Sequence, residues 1–228
     1  MTANARFIMR ATINHTQTRA RDHWIVLNAG APGTCQITVN APVEPLAPVR
    51  IDLGWGSELD RVFSGFVERV IPAESGWFVL FCREWSDALT YNLSVMLRHP
   101  SMRQVTDTIT EQTGIEFVLP DKKYTQTAIA CFYSDGAGLA MLENIGRAFA
   151  VPEFVWYQQG NGKVYVGSYQ DSFWADKAGF IPAGLMTDQQ AGNSAKMVAA
   201  PMLRPHAVVD GRRLTGVEFQ GTQMTLRW

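Results

Sequence analysis

Arg61–Trp85, RVFSGFVERVIPAESGWFVLFCREW, is the stretch whose reading decides the fold. Two runs rich in aromatic and β-branched residues flank the turn-forming segment Pro72–Gly76, which reads as strand, turn and returning strand. Their alternation is unusual. Along Trp77–Trp85 one face carries Trp77, Val79, Phe81 and Trp85, and the other Phe78, Leu80 and Cys82. A sheet with one solvated face alternates apolar with polar residues, so a strand apolar on both faces needs cover on both. A chain of 228 residues has few spare layers, and a neighbouring subunit is the expected second cover. Trp77, Phe78, Val79, Leu80, Phe81 and Trp85 are therefore the candidate subunit-interface residues. Gly65, inside the first run, predicts a bulge that helps the sheet curl.

The sequence before this pair is also β in character. Phe7–Ile13, His23–Leu27, Thr34–Asn40 and Val49–Trp55 are candidate strands, separated by the turn residues Asn28-Ala-Gly30, Pro32-Gly33 and the prolines at 42, 45 and 48. Short strands at such regular spacing predict a small barrel or sandwich.

After this region the period changes. Ser101-Met-Arg-Gln104 is a capping box, Met102, Val105 and Ile109 form a helical stripe, and Gly114 stops it. Strand-like Leu93–Leu97 and Ile115–Leu119 flank this helix. A similar unit follows: a strand at Ala128–Tyr133, a cap at Ser134, a stripe of Leu142, Ile145 and Phe149, and extended Glu153–Tyr157. Asn161-Gly162 then predicts a hairpin returning through Val164–Ser168. The two units read as a weak tandem repeat. Asp171–Ala195 reads as a connector. The end is again β: Met197–Met202, a turn at Asp210-Gly211, and Leu214–Phe219 pairing with Gln223–Trp228.

Composition narrows the function. With 46% apolar and 18% charged residues the chain has an ordinary folding composition, and a net charge of -1 without a basic block excludes tight sequence-specific nucleic-acid binding. Cys35, Cys82 and Cys131 each sit in an apolar strand-like run and read as buried thiols. Met1–Arg10 lacks an apolar signal core, and no run reaches the ~18 apolar residues of a membrane span. The expectation is a soluble protein made in a reducing cytosol.

Catalytic patterns are sparse. His15, His23, His99 and His206 lack zinc-hydrolase spacing, and GxSxG is absent. Gly54-Trp-Gly56 and Gly136-Ala-Gly138 are isolated glycine pairs, not phosphate loops. Glu58 and Asp60 would share one face of a strand, as a glycosidase pair would need, but solvated surface carboxylates are the commoner reading. The seven tryptophans would suit a sugar-stacking platform, yet packing accounts for them more simply. No cofactor, metal or catalytic residue is expected.

Taken in order, several segments resemble one family. FSGFVERV (Phe63–Val70) followed by CREWSDAL (Cys82–Leu89) is similar to the tail-hub proteins of bacteriophages: the baseplate hubs of Mu-like and related contractile phages, the late control protein D group, and the hub part of type VI secretion spike proteins. SMRQVTDTITEQTGIEF (Ser101–Phe117), GLAMLENIGRAFAVPEFVWYQQGNGKVYVG (Gly138–Gly167) and VDGRRLTGVEFQGTQMTLRW (Val209–Trp228) resemble the family's following segments in the same order. No single motif is specific; the succession carries the resemblance.

The resemblance implies a β-rich α+β fold in which two tube-type β-barrels flank two small strand–helix–strand modules. The implied domains are a first barrel over residues 1–88, inserted modules over 89–170 (89–124 and 125–170), and a connector with the second barrel over 171–228. It also implies a homotrimer whose six barrels match a hexameric tail tube or distal tail protein and meet a central spike or fibre protein. Tape-measure protein and DNA would pass through the ring without specific binding, in a virion tail assembled in the host cytoplasm. No wall-degrading domain is expected. Such a channel should be lined by polar, non-basic residues, for which Gln36, Asn40, Asp52, Glu58 and Asp60 are the candidates. The alternatives are a β-rich host-glycan-binding module and a small cell-wall hydrolase built on Glu58 and Asp60.

Overall fold

The computed structural model of this protein describes residues 6–190 and 193–228; the first half of Met1–Arg10 and residues 191–192 of the connector lie outside them. The chain divides into two compact units. Unit 1 combines the N-terminal part up to Glu84 with everything from Ala178 onward, and unit 2 is Trp85–Lys177.

In chain order, unit 1 begins with strands β1 (Phe7–Ile13), β2 (Thr16–Thr18), β3 (Ala20–Asn28), β4 (Ala31–Val39), β5 (Pro48–Trp55), β6 (Glu58–Pro72) and β7 (Phe78–Glu84). Unit 2 holds β8 (Asn92–Arg98), α1 (Met102–Thr113), β9 (Phe117–Val118), α2 (Lys123–Gln126), β10 (Cys131–Ala137), α3 (Gly138–Ala148), β11 (Phe154–Gln158) and β12 (Val164–Ser168). The chain returns to unit 1 through β13 (Ala178–Gly179), β14 (Met186–Gln190), β15 (Ser194–Val198), β16 (Val208–Val209), β17 (Arg212–Arg213), β18 (Gly216–Gln220) and β19 (Gln223–Arg227).

One 11-stranded sheet organises unit 1, in the order β14-β15-β19-β18-β3-β4-β7-β6-β5-β1-β2. The strands of the two chain ends are laid edge to edge in this one sheet, joined where β18 pairs with β3. Their union follows from matching alternation. Met197, Met224, Phe219, Ile25, Cys35, Cys82 and Val67 stand opposite one another strand by strand, and all are buried. Each large side chain of such a row contributes about 1.5–3 kcal/mol on burial.

The 15-residue strand β6 makes the sheet bend. Its first half pairs with β5 and its second with β7. The register slips once in each half, beside Val62 and beside Glu68, so the bulges flank Gly65 instead of falling on it. Gly65 has a different job: a β-carbon there would lie 1.8 Å from the Arg83 carbonyl oxygen, so the crossover tolerates no side chain.

In unit 2 the helix over Met102–Thr113 is capped as the sequence predicts. Gln104 N–H donates to the Ser101 hydroxyl, the Gln104 amide oxygen accepts from Ser101 N–H, and Gly114 closes the helix in the left-handed conformation. Ser134 behaves differently from its predicted role as a cap. It lies within β10, where its hydroxyl accepts from Asn144 Nδ2, and α3 begins only at Gly138, behind an uncapped Ala137. The two strand–helix modules also interleave. β8 pairs with β10, and β9 with β12, so Val105 and Ile109 of α1 share a single core with Leu142 and Ile145 of α3, Phe132 and Trp156. Cys35 and Cys82 are buried directly opposite one another as free thiols, whereas Cys131 is exposed, on the outward side of β10.

Candidate functional site

The surface with the most extended organisation is the outward face of the large sheet. Register places Lys196, Thr225, Glu218, Val26, Thr34 and Arg83 in one row across β15, β19, β18, β3, β4 and β7. The next row runs Gln220, Trp24, Gln36, Phe81 and Arg69, from β18 to β6. Both rows contain residues from both ends of the chain.

Charges on this face are largely matched internally. Trp24 Nε1 donates to Glu218 Oε1 at 2.7 Å, and Arg227 Nη2 pairs with Glu218 Oε2. Arg83 Nε pairs with Glu68 Oε2 at 2.9 Å. The guanidinium of Arg69 sits 4.4 Å from the centroid of Phe81, and that of Arg21 sits 4.6 Å from Trp77. Each such cation–aromatic contact is worth about 0.5–1 kcal/mol at an exposed site. Arginine stems and planar heads thus supply part of the outer cover that the two-sided strand demands.

The residues singled out from the sequence are distributed unevenly. Trp77, Val79 and Phe81 lie half-buried on the outward face; Phe78 and Leu80 point to the other side, with Leu80 wholly in the core. Trp85 has left the strand and opens a 3-10 turn in unit 2. Among the channel candidates, Gln36 stands at the centre of the outward face and Asn40 is exposed just past the end of β4. Asp52 is only 8% exposed and binds Arg61 Nε at 2.6 Å. Glu58 and Asp60 are exposed on the β5–β6 hairpin, opposite Trp55 and Leu53, away from Gln36 in the sheet order. Trp24 is the one exposed tryptophan among the described residues; the others are half-buried or buried. No group of three or more His, Cys, Asp or Glu residues among those described is placed to hold a metal ion.

One pair escaped the sequence reading. Glu84 ends β7 on the side of Leu80 and Cys82 and is 4% exposed. Its Oε2 accepts from Gly33 N–H at 2.7 Å, and Oε1 lies 3.6 Å from Nη2 of Arg204. Arg204 Nη1 also donates to the carbonyls of Val62 at 2.9 Å and Arg61 at 3.2 Å. Nearby, Trp55 Nε1 donates to the Ala199 carbonyl at 2.8 Å. A loop from the C-terminal segment is thereby bonded to three N-terminal strands. Desolvation pushes the Glu84 carboxyl up to about 7, against the opposing pull of Arg204 and the Gly33 amide. Strand alternation alone places Glu84 on the buried face, a signal present in the sequence; nothing in it points to Arg204.

His23 is a second buried titratable group in unit 1. Burial drives its pKa down to about 4, with Asp22 opposing, so it is neutral, and it stacks on Phe7 with centroids 6.3 Å apart. In unit 2 the outward face of the β8–β10 pair exposes Met96 and Tyr133, direct cross-strand partners that are 72% and 65% exposed.

Comparison with known proteins follows the fold. No family model matches the chain. A Haemophilus phage HP1 protein, described as an uncharacterized 58.7 kDa protein in the lys 3' region, is 29% identical over 222 residues, covering 97% of this chain. The chain spans 42% of that protein's length. The 43 kDa tail protein of prophage MuSo2 from Shewanella oneidensis superposes with a TM-score of 0.66 over 97% of both chains, at 9% identity. The E. coli c3393 protein, a type VI secretion component described as similar to the T4 tail proteins gp27 and gp5, superposes with a TM-score of 0.62 at 11% identity, over 95% of this chain and 75% of its own. The fold is that of phage tail and type VI spike-related proteins, as the order of sequence segments implied.

Proposed function

We propose that this chain, built on the fold of phage tail and type VI spike-related proteins, is a structural tail hub. Three copies form a ring that joins a hexameric tail tube to a central spike or fibre. The N-terminal strands and the C-terminal strands of unit 1 act as two curled β units per chain, so that three chains present six to the tube. The observation that carries this reading is the joining of both chain ends in one sheet through β3 and β18. Two sets of strands side by side in each chain would let a threefold ring offer a sixfold rim without a new kind of interface.

The outward face, with Gln36, Trp24, Gln220 and Thr225, lines the channel. Its arginines are held by Glu218, Glu68 and aromatic rings, which keeps phosphate attraction low and lets DNA and tape-measure protein pass. At the β7 end of the same face Trp77, Val79 and Phe81 contribute to contacts between copies, as does the exposed Met96–Tyr133 pair of unit 2. A reconstruction of the parent particle tests the proposal. Threefold density for this chain between tube and spike is the expected result. Density on the outside of the tail, or a single copy per particle, would refute it.

A further inference from the structure

Among the described residues, the large sheet of unit 1 leaves a seam open between β1 and β3. In an antiparallel ladder, successive residues point their main-chain groups to opposite sides. Gly56 N–H donates to the Arg6 carbonyl and Asn14 N–H to the Pro48 carbonyl, so the even-numbered residues of β1 bond toward β5. Phe7 and Met9 therefore turn their N–H and C=O groups the other way. β2 occupies that edge only from Ala11 to Ile13.

The facing edge belongs to β3. Ala29 N–H donates to the Thr215 carbonyl, which assigns the odd-numbered residues of β3 to the β18 side. β18 ends at Gln220, opposite Trp24, and leaves the main chain of His23 uncovered. Beyond a register slip, Asn40 N–H donates to Arg19 C=O, so Ala20 also points away from β4. Among the described residues no strand pairs with Phe7, Met9, Ala20 or His23 on this side. A cleft of about 810 Å³ lies here, lined by residues 6–9 of β1, 20–23 of β3 and the turn at 220–222.

We infer that this seam is a strand-addition site for an extended, acidic segment of a partner polypeptide. The free groups of Phe7 and Met9 are two residues apart, about 7 Å along the strand, which is the repeat an added antiparallel strand presents. Charge selects the sign of the occupant. Arg6 and Arg21 line the cleft, with Arg10 exposed beside it opposite Asp52, and the single acid of the lining is Asp22, which Arg21 already contacts at 3.2 Å. Acidic side chains on the added strand would complement that excess, while its apolar side chains would pack over Phe7 and His23, whose rings stack on each other across the seam. The site lies within one chain and needs no ring, so its test is independent of the hub reading.

Amide exchange in the isolated chain, followed by NMR with and without the synthetic peptide acetyl-Glu-Val-Glu-Val-Glu-Val-amide, gives that test. Saturating peptide is expected to slow the Phe7 and Met9 amides about tenfold while leaving Ile8 and Arg10, already bonded to β5, unchanged. The Lys-for-Glu peptide should have no such effect. Met9→Pro removes a donor aimed into the seam and spares the ladder to β5; it should abolish the protection. The pair Arg6→Glu and Arg21→Glu should transfer the preference to the lysine peptide. Unchanged exchange at Phe7 and Met9 would overturn the inference. So would protection already present in the peptide-free monomer, which would mean the seam is filled from within the chain. Protection that grows with protein concentration alone would also overturn it, by making a second copy the occupant.

Discussion

Replacing Glu84 by Gln should change how the stability of unit 1 depends on pH. In the folded chain burial raises the carboxyl from 4.5 to about 7. Each tenfold change in proton affinity is worth about 1.4 kcal/mol, so full titration is worth about 3 kcal/mol. Between pH 4.5 and 7 the folded chain keeps a proton that the unfolded chain has released. The contribution of Glu84 is therefore fully present below pH 4.5 and is lost as pH rises through 7. His23 works in the opposite sense: its pKa is lowered from 6.5 to about 4, so its contribution is present above 6.5 and lost as pH falls. The two nearly cancel in the wild type, and only a difference curve exposes either one. Urea unfolding of wild type and Glu84→Gln from pH 4.5 to 8 should show the variant gaining about 3 kcal/mol relative to wild type across the window. Arg204→Met supplies the complementary result. At pH 8 it strands a buried carboxylate and costs about 3–5 kcal/mol. At pH 5 the carboxyl is protonated, and the cost falls to about 1–3 kcal/mol for the lost bonds to the Arg61 and Val62 carbonyls. A difference curve flat with pH, or an Arg204→Met penalty equal at pH 5 and pH 8, would refute the reasoning.

Gly65→Ala forces a β-carbon against the Arg83 carbonyl at the crossover of β6 and β7; a loss of more than about 4 kcal/mol in urea unfolding is expected, and a loss near 1 would show that the strand shifts freely. Ser101→Ala removes the acceptor for Gln104 N–H and should cost about 1 kcal/mol. Its effect should appear as faster amide exchange in the first turn of α1, with the strands of unit 1 unchanged.

The strands and helices of this protein are legible in its sequence because alternation, capping and turn chemistry act over a few residues. Phe7–Ile13 and Val164–Ser168 coincide with β1 and β12, and the Ser101 cap and Gly114 stop bound α1 as read. Ser134 shows the limit of such local reading: a serine before a helical stripe fits a cap equally well as a strand residue, and pairing with β8 selects the strand. The two-sided apolar strand over Trp77–Trp85 was equally plain, but what covers it was not. Part of the cover is Arg21 and Arg69, one contributed across the sheet and one from the neighbouring strand.

What only the tertiary structure decided are the pairings between distant segments. The union of β3 with β18, the ion pair between Glu84 and Arg204, and, among the described residues, the unpaired edges at Phe7 and Met9 each depend on which strand comes to lie beside which. A residue's own neighbours in sequence carry its period and its turn preference. They do not carry the identity of a partner more than a hundred residues away, because that choice is made by the whole sheet as it buries one continuous apolar face.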